Sequence, residues 1–174
     1  MKYLIALLCV LLLFSWKKRF QQTNEITKIE LARNGAWSDY GDAIGVDSSL
    51  NYKYFDGNSK KNFIGKINTR FWDSINRRFE RIKFKEIPVS DDNNIIKDAT
   101  YFELIIHWKD SSRRITRVRD IKPDSVVLAF IWLNDSYKNI KLHQISRPIK
   151  FETTFQNPPP QPKIDQIKFP PPIK

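Results

Sequence analysis

The sequence predicts an α+β domain: an antiparallel sheet of two β-hairpins plus flanking strands, with two amphipathic helices packed on one face. Two observations predict this fold. The strand segments alternate apolar and polar residues, which is typical of a sheet with only one face in the core. Each hairpin is also followed by a segment with helical spacing, and this order of elements favours an α+β sandwich.

The first half of the domain contains a strand, a hairpin and a helix. Residues 27–33 alternate and are predicted to form a half-buried strand, whereas residues 36–49 are rich in Gly and Asp and are interpreted as a loop. Residues 50–67 are predicted to form a hairpin around an Asp-Gly-Asn turn. A helix is predicted to begin at its cap, Thr69. Its apolar residues recur at 3-4-3 spacing and are Trp72, Ile75, Phe79 and Ile82.

The second half repeats this order. Residues 101–108 give the strongest strand pattern in the chain, and residues 113–119 are predicted to be the partner strand of a second hairpin. Pro123 and Asp124 are favourable at the start of a helix, so the apolar segment after them is predicted to be the second helix. Residues 141–145 are predicted to form a short closing strand.

The N-terminal segment indicates the compartment. Residues 1–19 contain an apolar run between basic residues, and we interpret them as a signal peptide or a short membrane anchor. The run is about 21 Å long as a helix, which is short for a bilayer core of about 30 Å. We therefore expect a cell-envelope protein that is either exported or anchored in the inner membrane. The apolar residues assigned to the membrane segment are Tyr3, Leu4, Ile5, Leu7, Leu8, Val10, Leu11, Leu12, Leu13 and Phe14.

Composition divides the remainder into an α+β domain (residues 20–146) and a tail (residues 147–174). The tail contains eight of the ten prolines and is predicted to be extended. The net charge is +11, of which residues 1–19 carry +4 and the tail carries +3, so residues 20–146 carry only +4. This distribution argues against nucleic acid as a partner. The one cysteine, Cys9, lies in the N-terminal segment, which excludes a disulfide in the domain.

Several segments together resemble a known family: residues 29–35, 52–57, 101–106 and 119–123, together with the helix that ends near Phe84. Over about residues 26–137 the chain resembles an uncharacterised group of small bacterial envelope domains, a domain of unknown function found largely in exported proteins and lipoproteins. Members of that family commonly carry two cysteines and a proline after the first strand. Here residues 35–40 read Gly-Ala-Trp-Ser-Asp-Tyr, so a metal or redox role tied to those cysteines is absent. The resemblance implies no known activity.

Two groups of residues are candidates for binding. The loop residues Trp37 and Tyr40 offer large apolar side chains that could anchor a partner, and Asp39 and Asp42 lie beside them. The second hairpin carries several arginines, with Arg114 and Arg117 as candidates for an anionic partner. Ordinary turn chemistry and solvated ion pairs are the alternative interpretations of these groups.

The residues for catalysis are few. The chain has two histidines, His107 and His143, which would be neighbours if the closing strand pairs there. No nucleophile motif, metal framework or phosphate-binding glycine loop accompanies them. We therefore expect a non-enzymatic domain without a cofactor that binds a partner protein or an envelope polymer. The alternatives are an inhibitor or immunity-type protein, and a hydrolase that uses His107.

Overall fold

A computed structural model describes residues 25–35, 41–87, 99–119 and 123–155. In these residues, seven strands form one antiparallel sheet in the order β6-β5-β1-β2-β3-β4-β7, which confirms the predicted α+β fold. The strands are β1 (Ile26–Asn34), β2 (Gly41–Asp47), β3 (Asn51–Asp56), β4 (Lys61–Lys66), β5 (Tyr101–Trp108), β6 (Ser112–Val118) and β7 (Leu142–Ile145). The helices are α1 (Thr69–Arg81) and α2 (Ser125–Asn134), with short 3-10 turns at Phe84–Glu86 and Asp135–Asn139.

Strand β2 corrects the sequence prediction, which assigned residues 36–49 to a loop. It lies between β1 and β3, and residues 41–46 are all buried. Its glycines resemble turn residues in the sequence, but here they let other groups approach the sheet closely. A Cβ atom on Gly45 would lie 3.4 Å from the Phe151 ring. The strand is therefore covered on both faces and lacks the alternation that predicts a half-exposed strand.

Both helices pack on the same face of the sheet, which we call the helix face. Helix α1 buries Trp72, Ile75 and Phe79, as its spacing predicts, and its N-cap is Asn68, whose side chain accepts a hydrogen bond from Phe71 N at 2.8 Å. The predicted cap, Thr69, is instead the first helical residue. Helix α2 begins after the Asp124 cap and contributes Val126, Val127, Ala129, Phe130 and Leu133 to the core.

The two helices also determine which strands become neighbours. Helix α1 carries the chain from β4 to β5, which pairs with β1 in the middle of the sheet. Helix α2 carries it from β6, at one edge, to β7 at the other, where β7 pairs with β4. The predicted closing strand is thus confirmed. Its position contradicts the proximity of His107 and His143, because four strands separate β5 from β7.

Candidate functional site

The face of the sheet opposite the helices, which we call the polar face, carries most of the ionisable side chains of the central strands. Glu30 and Glu103 are its most buried members, at 0% and 1% exposure. They lie on β1 and β5, which are adjacent strands, and Glu103 pairs with Ala32, two residues from Glu30. Side chains two residues apart on a strand share a face. The two carboxylates therefore lie on the same face of the sheet, and each needs partners to offset its desolvation.

A C-terminal segment supplies these partners. Residues 147–155, which we call the strap, cross the polar face from β4 towards β5, beginning with a hydrogen bond from Ile149 N to the Asn62 side chain. Glu30 Oε2 accepts a hydrogen bond from Glu152 N at 2.6 Å. Glu103 Oε2 accepts hydrogen bonds from Thr154 N at 2.6 Å and from Phe155 N at 3.1 Å. The strap is held mainly through its backbone.

The strap is the beginning of the segment that the sequence assigns to the tail, residues 147–174. The first nine residues of that segment lie against the sheet, and Phe155 makes an edge-on contact with the Tyr101 ring. The physical reason is that the two buried glutamates need hydrogen-bond donors. Backbone N–H groups of the strap can donate to them whatever side chains the strap carries. The remaining residues, 156–174, lie outside the described part of the chain.

A cluster of charges surrounds the middle of the strap. Lys28 Nζ lies 2.7 Å from both Glu30 Oε1 and Glu152 Oε1, and His107 Nε2 lies 3.0 Å from Glu152 Oε2. The hydrogen bond from Lys28 lowers the pKa of Glu152 below its ordinary value, and the charges of Lys28 and His107 add to this effect. Partial burial alone would lower the pKa of Lys28, but hydrogen bonds to Glu152 and Glu30 outweigh it and raise that pKa.

The predicted binding residues do not form one site. Trp37, Asp39 and Tyr40 lie outside the described residues. Arg114 lies on the polar face, where it forms an ion pair with Glu103 and donates to Glu152 O at 3.1 Å. Arg117 pairs with Phe102 across the ladder and therefore belongs to the other face of the sheet.

The contacts of Asp42 indicate a structural role. It forms an ion pair with Arg33, its cross-strand neighbour, and its Oδ1 accepts a hydrogen bond from Gly57 N at 3.2 Å. It is only 8% exposed, so it fastens the turn between β3 and β4 to the middle of the sheet. Asp47, at the other end of β2, accepts hydrogen bonds from the backbone N–H groups of Ser49 and Asn51, which is ordinary turn chemistry.

No described residue covers the part of the polar face beyond the strap. A cavity of about 490 Å³ lies over β3, β4 and β7, with half-buried Ile64 at its floor. We call this cavity and the basic side chains that line it the basic groove. Those side chains are Lys53, Lys66, Lys141, His143 and Arg147, and the other lining residues are the uncharged Asn51, Tyr52, Ile64 and Gly65.

Sequence reasoning missed both the buried glutamates and the basic groove. The alternation in residues 27–33 places Lys28 and Glu30 on the polar side, which was a usable signal for a charged face. The groove had no such signal, because its residues come from three strands and the strap.

Membrane-spanning helices and metal-binding groups can be assessed for the described residues alone. None of their helices is both long enough and apolar enough to cross a bilayer. Their His, Cys, Asp and Glu side chains do not come together in any group of three or more that could hold a metal ion.

Comparison of the chain with protein-family models, with curated proteins and with solved structures found no match. The resemblance to the envelope-domain family therefore stays a prediction from the sequence.

Proposed function

We propose that the chain is a non-enzymatic domain of the cell envelope, exported or held at a membrane by its N-terminal segment, that binds a partner protein or an envelope polymer. The observation that carries this proposal is the division of the polar face. The strap covers the half that contains Glu30 and Glu103, and no described residue covers the half that contains the basic groove. An open, concave and charged surface beside a rigid sheet is suited to recognition.

The use of the ionisable groups also supports binding over hydrolysis. Glu103 and Arg114 pair with each other and hold the strap, and His107 contacts the Glu152 carboxylate. Ser112 lies directly opposite His107 in the β5–β6 ladder, but its hydroxyl makes no hydrogen bond with a described residue. The ionisable groups named here thus have structural partners, whereas a triad needs a histidine bonded to a nucleophile.

The first test is the state of the chain in its native cells. We expect mass spectrometry to find it either in the membrane fraction with residues 1–19 intact or outside the cytosol with a new N-terminus near residue 16. A full-length chain dissolved in the cytosol would contradict the proposal.

The second test is binding to envelope material. We expect the full-length chain in uncharged micelles to sediment with isolated envelope fragments and to be released by salt, because the open surface is basic. A protein of similar size and net charge is the control. Sedimentation no greater than that of the control would overturn the proposal.

A further inference from the structure

No carboxylate of the described residues forms an ion pair with the basic side chains of the groove, although the Asp47 carboxylate contacts the groove residue Asn51, whose Nδ2 donates to Asp47 Oδ1 at 3.0 Å. The side chains of Lys53, Lys141, His143 and Arg147 form no ion pair or hydrogen bond with any described residue, and the Lys66 ammonium donates only to neutral oxygens, at 2.6 Å to Asn51 Oδ1 and 3.4 Å to Ser49 O. Elsewhere on the same face, Lys28 and Arg114 both have carboxylate partners. The groove therefore concentrates four permanent positive charges in one cavity, and their mutual repulsion favours a multivalent anion as occupant.

The sheet register fixes how these cations are arranged. Ile64 pairs with Lys53 on one side and with His143 on the other, so the two basic side chains flank an apolar floor. Neighbouring strands lie about 4.8 Å apart, which places the backbones of Lys53 and His143 roughly 10 Å from each other. Arg147 and Lys141 lie at the β7 side of the cavity. A single small anion cannot contact all of them, whereas a chain of anionic groups can.

We infer that the basic groove binds the phosphate groups of a soluble phosphodiester-linked envelope polymer, and this inference rests on the proposed function. The guanidinium of Arg147 can hold two oxygens of one phosphate, and the lysines act as point charges on its neighbours. The carbon atoms that link successive phosphates then lie over Ile64.

The shape of the groove favours a polymer over the two other phosphate-bearing partners. The cations surround a concave cavity of about 490 Å³, whereas a bilayer presents its headgroups in a plane. A single-stranded nucleic acid needs exposed aromatic rings on which its bases stack. The only aromatic side chain that lines the groove, Tyr52, is 0% exposed.

The test uses the full-length chain in uncharged detergent micelles and a synthetic glycerol phosphate hexamer, with titration calorimetry as the measurement. The groove variant is Lys53→Gln/Lys141→Gln/Arg147→Gln. The control variant is Arg70→Gln/Arg81→Gln/Lys109→Gln, which removes the same charge from exposed positions away from the groove. We expect the groove variant to lose about tenfold or more in affinity and its salt dependence to fall by about 2 in log–log slope, and the control variant to change little.

Four results would overturn the inference. The hexamer could fail to bind, or both variants could lose affinity equally, which would show a diffuse charge effect. Micelles doped with phosphatidylglycerol could displace the hexamer at equal phosphate concentration, which would assign the groove to a lipid headgroup. A thymidine oligomer with the same number of phosphates could bind more tightly than the hexamer. An uncharged glycerol oligomer of equal length should not bind.

The calorimetry and the sedimentation test together distinguish an error in the phosphate site from an error in the proposed function. If the wild-type chain sediments with envelope fragments and the groove variant does so equally well, the domain binds the envelope through another surface. In that case the phosphate site is wrong and the proposed function remains. If neither protein sediments above the control level while the hexamer still binds in the groove, the phosphate site stands and the proposed function is wrong.

Discussion

Glu103 and Thr154 lie 51 positions apart in the sequence, yet one carboxylate oxygen of Glu103 accepts both the backbone N–H of Thr154 at 2.6 Å and its hydroxyl at 3.2 Å. The same oxygen accepts Phe155 N, and the other oxygen forms an ion pair with Arg114. The Glu103 side chain is only 1% exposed, and both of its carboxylate oxygens have hydrogen-bond or ion-pair partners. Glu103 thus connects the centre of the sheet, its β6 edge and the strap.

Replacing this carboxylate should therefore destabilise the domain and release the strap. We expect Glu103→Gln to lower the free energy of unfolding by about 2–3 kcal/mol, because it removes hydrogen bonds to a charged acceptor and turns an amide N–H₂ group towards other donors. Urea unfolding measures the loss. Hydrogen exchange should show that the amides of Thr154 and Phe155 lose protection before those of β1 do.

Glu86→Gln is the matched control for this variant. Glu86 forms an exposed ion pair with Lys83 at 3.5 Å, and its replacement should cost less than about 0.5 kcal/mol. Equal stability of the two variants would contradict the role of Glu103. Unchanged protection of Thr154 in Glu103→Gln would show that the strap is held by other contacts.

The Lys28–Glu152–His107 cluster predicts a pH dependence. The lowered pKa of Glu152 means that the folded protein favours the carboxylate, so Glu152 stabilises the fold above its ordinary pKa of 4.5. This contribution disappears as the pH falls through the lowered value. Because the Glu152 side chain is 47% exposed, we expect the free energy of unfolding of the wild type to exceed that of Glu152→Gln by only about 0.5–1 kcal/mol at neutral pH.

Urea unfolding of both proteins across the acidic range measures this difference. It should shrink as the pH falls through the lowered pKa, since Glu152 then becomes protonated in the folded as well as the unfolded state. Glu80→Gln, a change at an exposed position on α1, is the control and should show a smaller and flatter difference. A difference between wild type and Glu152→Gln that stays constant with pH would show that the ion pairs of Glu152 do not contribute.

Much of the fold follows from local pattern. Helix α1 and strand β5 are predictable because each has one apolar face, and one face in the core is the condition that produces periodicity. Strand β2 escapes prediction because both of its faces are covered, and Gly41 and Gly45 serve close packing rather than a turn. A glycine in this sequence can therefore indicate either a turn or a strand that is closely packed on both faces.

The candidate sites depend on partners that are distant in the sequence. Glu30 meets Glu152 across 122 positions, and no local pattern indicates that pairing. The basic groove forms only because α2 carries the chain past the whole sheet and places β7 beside β4. Arg114 and Arg117 lie three positions apart in the predicted strand 113–119, so alternation places them on opposite faces, but the sequence could not show that Arg114 meets Glu103.

A buried hydrogen bond joins strand β3 to the turn after α2. The Tyr52 hydroxyl lies 2.7 Å from Ser136 Oγ, and the Ser136 hydroxyl in turn donates to Leu133 O at 2.6 Å. Burial raises the pKa of Tyr52, so this phenol stays neutral across the physiological range. We expect Tyr52→Phe to cost about 0.5–1.5 kcal/mol in thermal or urea unfolding, because one buried hydrogen bond is lost and the ring remains.

Tyr137→Phe is the control for Tyr52→Phe, since the Tyr137 ring stacks on Tyr54 at 4.5 Å while its hydroxyl makes no hydrogen bond with a described residue. It should be nearly neutral. A larger loss for Tyr137→Phe than for Tyr52→Phe would contradict the assigned role of the Tyr52 hydroxyl.

Two glycines of the sheet region should respond very differently to an added methyl group. A Cβ atom on Gly57 would overlap the backbone carbonyl of Gly41, and the N–H of Gly57 is fixed by Asp42. We expect Gly57→Ala to cost about 2–3 kcal/mol, because backbone must shift to relieve the overlap. A Cβ on Gly45 would be 3.4 Å from the Phe151 ring, which a small movement of the strap accommodates, so Gly45→Ala should cost less than about 1 kcal/mol. Urea unfolding of the two variants side by side decides the matter, and a cost for Gly45→Ala as large as that for Gly57→Ala would mean that the strap is as rigid as the sheet beneath it.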